Sequence, residues 1–370
     1  MAARAPTLWI LLALTALLLS AQRGELEPLT PVSAAAGVVP IRSLPALITR
    51  PGRYLLAASL TGPEHPPASA QHGIVVRADD VEIDLGGWAL IGGAGSGTGI
   101  LVQPPDKRER VRGLVVRNGT VRNWGAFGIE AGSVEMLRLE DLHVAHNGTR
   151  GEPQAGANLG VGALVEGCSF HRNSGHGLVA GRGAVITRCV ASHNGSDGFR
   201  LVDVGLLRDS TSFDNGGDGV ELQGVGGLLS QSATAFNAGS GVVAAAGALV
   251  RGATSVHNGH DGVSSGGSGM LVDSLCRGNA GAGVTALGTH DLVRGNHLVD
   301  NSTGLFLGGR SGIAQDNVLA GNGTPATVFP RNPWTHVTRQ PSTTAGKADD
   351  ADPDGEELVL ARARANLVSH

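Results

Sequence analysis

The stretch Asn194-Gly195-Ser196-Asp197-Gly198-Phe199 returns 21 residues further on as Asn215-Gly216-Gly217-Asp218-Gly219-Val220. An Asn followed by Gly and an apolar residue recurs along this part of the chain, and successive Asn positions are 21 or 22 residues apart. The Asn residues of this repeat are Asn173, Asn194, Asn215, Asn237, Asn258, Asn279, Asn301 and Asn322. So regular an interval predicts stacked structural units of one kind.

Apolar residues keep the same phase as the Asn column. Nine residues before each Asn stand Leu164, Val185, Leu206, Leu228, Leu249, Met270, Leu292 and Ile313. These residues lie in short β-type runs between Gly- and Asn-rich turns, and no stretch shows a helical period. A 21-residue unit cannot bury its own apolar face, whereas stacked units can. The sequence therefore predicts an all-β parallel solenoid, with about 11 coils over residues 73–325 and about 4.8 Å between coils. Asn tolerates the left-handed backbone of a turn, and stacked amides can bond along the column.

The composition excludes several classes of protein. Gly accounts for 58 of the 370 residues but does not recur at every third position, so the chain is not collagen-like. Apolar residues make up 41% and the formal net charge is -4, which argues against disorder. This much Gly is unfavourable in helices. A balance without basic excess makes nucleic acid a poor partner.

The chain divides into five predicted segments. Residues 1–21 have the pattern of a signal peptide, with Arg4 before the apolar run Leu8 to Leu19. A linker over 22–40, an N-terminal cap over 41–72, the solenoid over 73–325 and a polar tail over 326–370 follow. This order predicts a secreted or periplasmic protein without a membrane span in its mature form, and the oligomeric state stays open. Two insertions, Gln103–Arg110 and Thr149–Asn158, interrupt the repeat.

Three further stretches carry a resemblance to a known family. They are Ile48-Thr49-Arg50-Pro51-Gly52-Arg53-Tyr54, Asp80-Val81-Glu82-Ile83-Asp84-Leu85-Gly86-Gly87 and Arg117-Asn118-Gly119-Thr120-Val121-Arg122-Asn123-Trp124-Gly125. With the Asn-x-Gly-x-Gly coils, they resemble bacterial right-handed parallel β-helix repeat proteins of the pectate-lyase-like superfamily. The resemblance implies a single-stranded right-handed parallel β-helix. It also implies an extracellular or periplasmic function, commonly on polysaccharides.

One column of polar residues suggests a site. His176, Asp197 and Asp218 share a phase and should stack on successive coils, with His193 and Arg200 at nearby phases. Lyases and epimerases of uronates need a base and a cation that stabilises the developing charge. We hypothesise that Asp197 and Asp218 hold a cation, with calcium as the one candidate cofactor. His176 or His193 would act as the base, and Arg200 would offset the substrate carboxylate. In the alternative, these residues only satisfy turns, where Asp is favoured.

Cysteine and histidine columns give weaker indications. Cys168 and Cys189 should stack at a distance compatible with a disulfide, but packing as reduced core residues is slightly favoured. His146 and His193 share a phase two coils apart, about 10 Å at the rise expected between coils, so one metal ion could not readily use both.

Polysaccharide is the predicted partner. The hypothesis is a secreted solenoid that binds a polysaccharide, with cleavage or epimerisation left open. The alternative is a non-catalytic surface, structural or protein-interaction solenoid, favoured by the monotony of the coils. A periplasmic copper-site maturation protein is a weaker alternative, because only three Met residues are present as soft ligands.

Overall fold

The computed structural model describes residues 37–62, 71–93, 95–104, 106, 109–148, 154–329, 332 and 334–340. The predicted signal peptide and residues 341–370 lie outside these ranges. All regular structure in the described part is β-strand, so the predicted all-β solenoid is confirmed. No segment of this part forms a helix of the length and hydropathy that crossing a membrane requires.

Each regular coil contains three short strands, and the corresponding strands of successive coils pair in parallel. For example, Leu164 aligns with Val185 and Ser169 with Val190, while Leu178 aligns with Phe199. The strands therefore form three faces, which we call the first, second and third face in chain order within a coil. The first and second faces belong to one sheet of 23 strands in the described residues, and the third belongs to a sheet of 14.

Strand bounds follow the repeat closely. The first face contains Val39–Ile41, Gly52–Leu56, Val81–Asp84, Leu164–Glu166, Val185–Thr187, Leu206–Arg208, Leu228–Ser230, Leu249–Arg251, Met270–Val272 and Leu292–Arg294. The second face contains Leu60–Thr61, Ala89–Ile91, Ser169–His171, Val190–Ser192, Thr211–Phe213, Ala233–Ala235, Thr254–Val256, Leu275–Arg277 and His297–Val299. Four longer strands run through both faces, namely Val115–Arg122, Arg138–Ala145, Ile313–Ala320 and Trp334–Gln340. The third face contains Ala46–Ile48, Ile74–Val76, Ile100–Val102, Val111–Arg112, Ile129–Glu135, Ala157–Val161, Leu178–Ala180, Phe199–Val202, Val220–Gln223, Val242–Ala244, Val263–Ser265, Ala282–Ala286, Thr303–Leu307 and Thr324–Val328.

The predicted Asn column forms a buried ladder at the turn between the second and third faces. From Asn147 to Asn322, each Asn donates from Nδ2 to Oδ1 of the next Asn over 2.9–3.1 Å. The same Oδ1 also accepts the backbone N–H of the preceding Asn. The ladder thus satisfies turn amides that the core would otherwise leave unpaired. The residue before each Asn has a positive φ, for example 55° at His193.

The Gly after this turn is required by close approach of the coils. A Cβ on Gly219 would lie 2.6 Å from the carbonyl oxygen of Gly241 and 2.8 Å from Nδ2 of Asn237. Only Gly fits a position where the backbones of two coils pass so closely. The Gly column is therefore a packing requirement of the ladder.

A second inward column runs along the turn between the first and second faces. It begins with Cys168 and Cys189, which are buried and unbridged like Cys276. Ser210 Oγ then accepts a hydrogen bond from the backbone N–H of Cys189. At the end of the column, the side-chain amide of Asn296 donates a hydrogen bond from Nδ2 to Oδ1 of Asn317 over 3.0 Å. The packing role predicted for this column is consistent with these contacts.

The paired strands extend beyond both predicted limits of the solenoid. At the N-terminal end, Ala46–Ile48 pairs with Ile74–Val76, and Gly52–Leu56 pairs with Val81–Asp84. The segment expected to be a cap therefore builds coils itself, because Ile48 and Leu56 point into the core. At the other end, Trp334–Gln340 pairs with Ile313–Ala320.

Candidate functional site

The outward residues at the middle of the third-face strands form one line along the solenoid, which we call the outer row. Register places the following residues in it: Val75, Leu101, Glu130, Asn158, Val179, Arg200, Glu221, Val243, Ser264, Thr285, Phe306 and Thr327. Alternation along each strand sends their neighbours into the core. The outer row is thus the surface on which third-face side chains can meet a ligand.

His176 and Asp197 lie in polar contact at the turn that leads into the third face. Nδ1 of His176 lies 3.1 Å from Oδ2 of Asp197, and the two side chains are only 21% and 11% exposed. The stacked phase predicted from the sequence explains this contact, because the residues occupy the same position on successive coils. A carboxylate beside Nδ1 orients the imidazole ring.

Arg200, a member of the outer row, contacts both His176 and Glu221. Its Nη1 lies 3.1 Å from Nε2 of His176, and its Nε lies 2.7 Å from Oε2 of Glu221. Since a guanidinium can only donate, Nε2 of His176 is the acceptor of the Arg200 contact. Nδ1 lies 3.1 Å from Oδ2 of Asp197 and 3.3 Å from the backbone N of Asp197, and the ring proton is assigned to Nδ1 from the shorter contact, the one with the carboxylate. Nε2 is therefore the lone pair available for a proton once Arg200 turns to a ligand. We call His176, Asp197, Arg200 and Glu221 the polar cluster.

The surroundings of Asp197 and Asp218 shift their pKa values in opposite directions. Burial would raise the pKa of Asp197, but bonds from His176 and the Asp218 amide, together with the Arg200 charge, hold it below its ordinary value. Burial raises the pKa of Asp218, the Ser240 amide opposes this, and the negative charges of Asp197 and Glu221 add to it. Asp197 is thus the member of the pair held as the anion beside His176.

The hypothesis that Asp197 and Asp218 hold calcium does not fit these contacts. Oδ1 of Asp197 accepts the Asp218 N–H over 2.9 Å, and Oδ1 of Asp218 accepts the Ser240 N–H over 2.6 Å. Since Oδ2 of Asp197 faces His176, only one of the four carboxylate oxygens is uncommitted, whereas calcium takes six to eight oxygen ligands. Across the described ranges, no three His, Cys, Asp or Glu side chains are arranged to hold a metal ion.

His193, the other candidate base, belongs to a different group of side chains. Its Nε2 lies 3.6 Å from Oδ2 of Asp214, and its ring contacts His171 and Phe213 with centroids 5.0 and 5.7 Å apart. None of these contacts joins His193 to the polar cluster. Of the five predicted site residues, the structure thus brings together His176, Asp197 and Arg200, with Asp218 bonded to Asp197 through its amide.

Two members of the outer row were missed by the sequence analysis. Nδ2 of Asn158 lies 2.9 Å from Oε2 of Glu130, and burial raises the pKa of Glu130 against the opposing bonds from Asn158 and Gly132. Asn158 was predicted to end the insertion Thr149–Asn158, whereas it lies in strand Ala157–Val161 and pairs with Glu130. Counting back one coil from Val179 would have found Asn158.

Both insertions border strands of the third face, and Gln103–Arg110 lies between the third-face strands Ile100–Val102 and Val111–Arg112. One insertion follows strand Ile100–Val102, and the other precedes strand Ala157–Val161. Gln154, at the end of the second insertion, accepts the N–H of Gly175 over 3.0 Å, next to His176. Residues 105, 107–108 and 149–153 lie outside the described part. On the other side of the cluster, an open groove of about 510 Å³ continues along Glu221, Gln223, Val243 and Leu287.

Comparison with known proteins agrees with this architecture. Residues 93–249 match the family model described as a right handed beta helix region. The matched residues lie within the solenoid, whose fold is that of a right-handed parallel β-helix. No curated protein sequence matches it.

Solved structures similar to this β-helix share its fold at low identity. A double mutant of the periplasmic alginate epimerase AlgG is 14% identical, with a TM-score of 0.57, over 74% of this chain and 77% of that one. The Agl-KA catalytic domain is 10% identical, with a TM-score of 0.50, over 82% and 62% of the two chains. The A-module of mannuronan C-5 epimerase AlgE6 from Azotobacter vinelandii is 16% identical, with a TM-score of 0.49, over 86% and 89%.

Proposed function

We propose that this β-helix binds an acidic polysaccharide along the outer row and modifies it at the polar cluster by proton transfer. The observation that carries the proposal is the contact of His176 with both Asp197 and Arg200, at 3.1 Å each. A base held by a carboxylate beside a guanidinium suits abstraction of a proton next to a substrate carboxylate. A solved structure of similar fold is titled a periplasmic alginate epimerase, which supports this substrate class and an extracytoplasmic location.

The residues divide the work as follows. A uronate carboxylate would replace His176 as the partner of the Arg200 guanidinium, because charge-assisted pairs of a carboxylate and a guanidinium are strong. His176 then presents Nε2 to the proton beside that carboxylate, while Asp197 stabilises the imidazolium that forms. If the glycosidic oxygen on the neighbouring carbon then leaves and takes a proton from water, a carbon–carbon double bond forms and the new chain end is unsaturated. If water on the opposite face instead protonates the carbon that lost its proton, the product is an epimer, and in both cases His176 afterwards releases its proton to solvent.

The test incubates the full chain with a panel of acidic and neutral polysaccharides, with calcium and with a chelator. Chain length, absorbance of unsaturated ends and NMR of sugar configuration distinguish lyase, hydrolase and epimerase products. We expect conversion of one acidic polymer, and His176→Gln and Asp197→Asn should each reduce it by about 100-fold or more. Asp261→Asn is the matched control, because Asp261 shares the column and bonds the amide of Ala282, yet contacts none of the cluster.

A non-catalytic binding protein is the second candidate, favoured by one observation. Glu221 already neutralises Arg200 at 2.7 Å, so a substrate carboxylate has to compete for the guanidinium. Binding of an acidic polymer without any change in its length, saturation or configuration would favour this candidate and refute the proposed proton transfer.

A further inference from the structure

Four histidine rings lie in contact across successive coils, apart from the polar cluster. His143 and His171 have ring centroids 6.5 Å apart, His146 and His171 are 5.9 Å apart, and His171 and His193 are 5.0 Å apart. His171 comes from the neighbouring column and fills the gap between His146 and His193. We call His143, His146, His171 and His193 the histidine row.

The row is exposed and oriented outward. His143, His146 and His193 are exposed and His171 is half-buried. Nδ1 of His143 bonds Ser169 Oγ at 2.6 Å, and Nδ1 of His171 bonds Ser192 Oγ at 2.9 Å. These bonds fix two rings through Nδ1, so Nε2 of each remains for a ligand.

The charged neighbours of the row are mainly cationic. Arg172 occupies the position between His146 and His193 in their column, and within the described part no acid lies within ion-pair distance of it. Register also places Arg122 two coils from His171 in the same column. The facing acid is Asp214, 3.6 Å from His193 at the end of the row. Protonation of the imidazoles would therefore create a strip of uncompensated positive charge.

Burial and neighbouring charges lower the pH at which His143 and His171 become charged. Burial lowers the pKa of His171, and the charges of His193, Arg172, His146 and His143 lower it further. Burial and the charge of His146 also lower the pKa of His143. His143 and His171 therefore gain their charge at a lower pH than an ordinary histidine. An anion bound along the row would offset the repulsion between the positive charges and so favour the protonated imidazoles.

We propose that the histidine row is a second binding site, which takes up an acidic polysaccharide as the pH falls. The charges follow one another at successive coils, about 4.8 Å apart. A polymer with one carboxylate per sugar presents charges in such a line, and a chain of net charge -4 does not favour nucleic acid. The site is separate from the polar cluster and does not depend on catalysis there.

The experiment measures binding of the full chain to polygalacturonate, with dextran as the neutral control, from about pH 7.5 to about pH 5 at constant ionic strength. We expect the affinity for polygalacturonate to rise by about tenfold, the gain of a few exposed charge pairs, with no rise for dextran. The triple variant His143→Gln, His171→Gln, His193→Gln should lose this rise, and His171→Gln alone should reduce it.

His257→Gln is the matched control. His257 occupies the same turn column as His193 but stacks on Phe236, with centroids 5.5 Å apart, and within the described ranges its ring packs against no other histidine ring. This control should keep the full rise, which separates the row from the general gain of charge by thirteen histidines. Circular dichroism checks that the variants are folded at both pH values.

Three outcomes would overturn the proposal. They are a pH-independent affinity, a triple variant that keeps the rise, and a stronger pH-dependent response to DNA than to polygalacturonate. Arg200→Gln separates this test from that of the proposed function, because it should abolish conversion at the polar cluster and leave the acid-dependent binding intact. An inactive cluster with an intact acid rise would refute the proposed function alone.

Discussion

Replacement of Asn215 by Ala tests whether the ladder holds the coils together. Asn215 is 2% exposed, and its Oδ1 accepts both the N–H and an Nδ2 hydrogen of Asn194, over 3.0 and 2.9 Å. Alanine leaves these two donors unpaired in the core. At about 1–3 kcal/mol for each of the two buried unpaired groups, the expected loss in the free energy of unfolding is about 2–6 kcal/mol.

Asn322→Ala is the control for this prediction. Asn322 accepts the same two bonds from Asn301, over 2.9 and 3.1 Å, but it ends the ladder and is half-buried. Water can replace its amide, so we expect a loss of about 1 kcal/mol. Urea unfolding followed by circular dichroism measures both variants. Equal losses, or a loss below about 1 kcal/mol for Asn215→Ala, would refute the argument that burial of the unpaired donors sets the cost.

Three further predictions follow from burial. The pKa of His171 is lower in the folded chain than in the unfolded one, so its contribution to stability falls as the pH drops through about 6.5. Between about pH 7.5 and pH 5, the His171→Gln variant should therefore lose less stability than the parent protein, as measured by thermal melts. Burial raises the pKa of Cys276 to about 12, so a thiol reagent at pH 8 should leave it unmodified in the folded protein, and denaturation without reductant should release three reactive thiols; two missing thiols would indicate a bridge. Gly219→Ala should destabilise by about 1–3 kcal/mol, since its Cβ would lie 2.6 Å from a carbonyl oxygen of the next coil, and an unchanged thermal midpoint would contradict this.

The backbone could be predicted from the sequence because each coil repeats one set of requirements. The Asn amide, the Gly after it and the apolar residues of the strands each recur at a fixed phase, and position in the repeat therefore determines position in space. The ladder from Asn173 to Asn322 follows directly. The limits of the solenoid were less predictable, since Ile48 and Trp334 lie in coils whose spacing departs from 21 residues.

Contacts between columns were harder to predict than contacts within one. The common phase of His176 and Asp197 predicted their stacking, but the bond from Arg200 to His176 depends on the direction of a long side chain. The same limit explains the histidine row. His146 shares its phase with His193 two coils away, but His171 has a different phase and reaches between them from the adjacent strand, so the phase of the repeat does not predict its contacts.

The ionisable side chains of the outer row lie in one part of the solenoid. Its ionisable members are Glu130, Arg200 and Glu221, whereas the five positions from Val243 to Thr327 carry no ionisable group. The Asn ladder runs unchanged through both parts, so the requirements of the fold do not produce this difference. A polymer lying along the whole row would therefore meet charge over a few coils and an uncharged track beyond them. Such a surface favours reaction at one point of a long ligand over uniform binding along it.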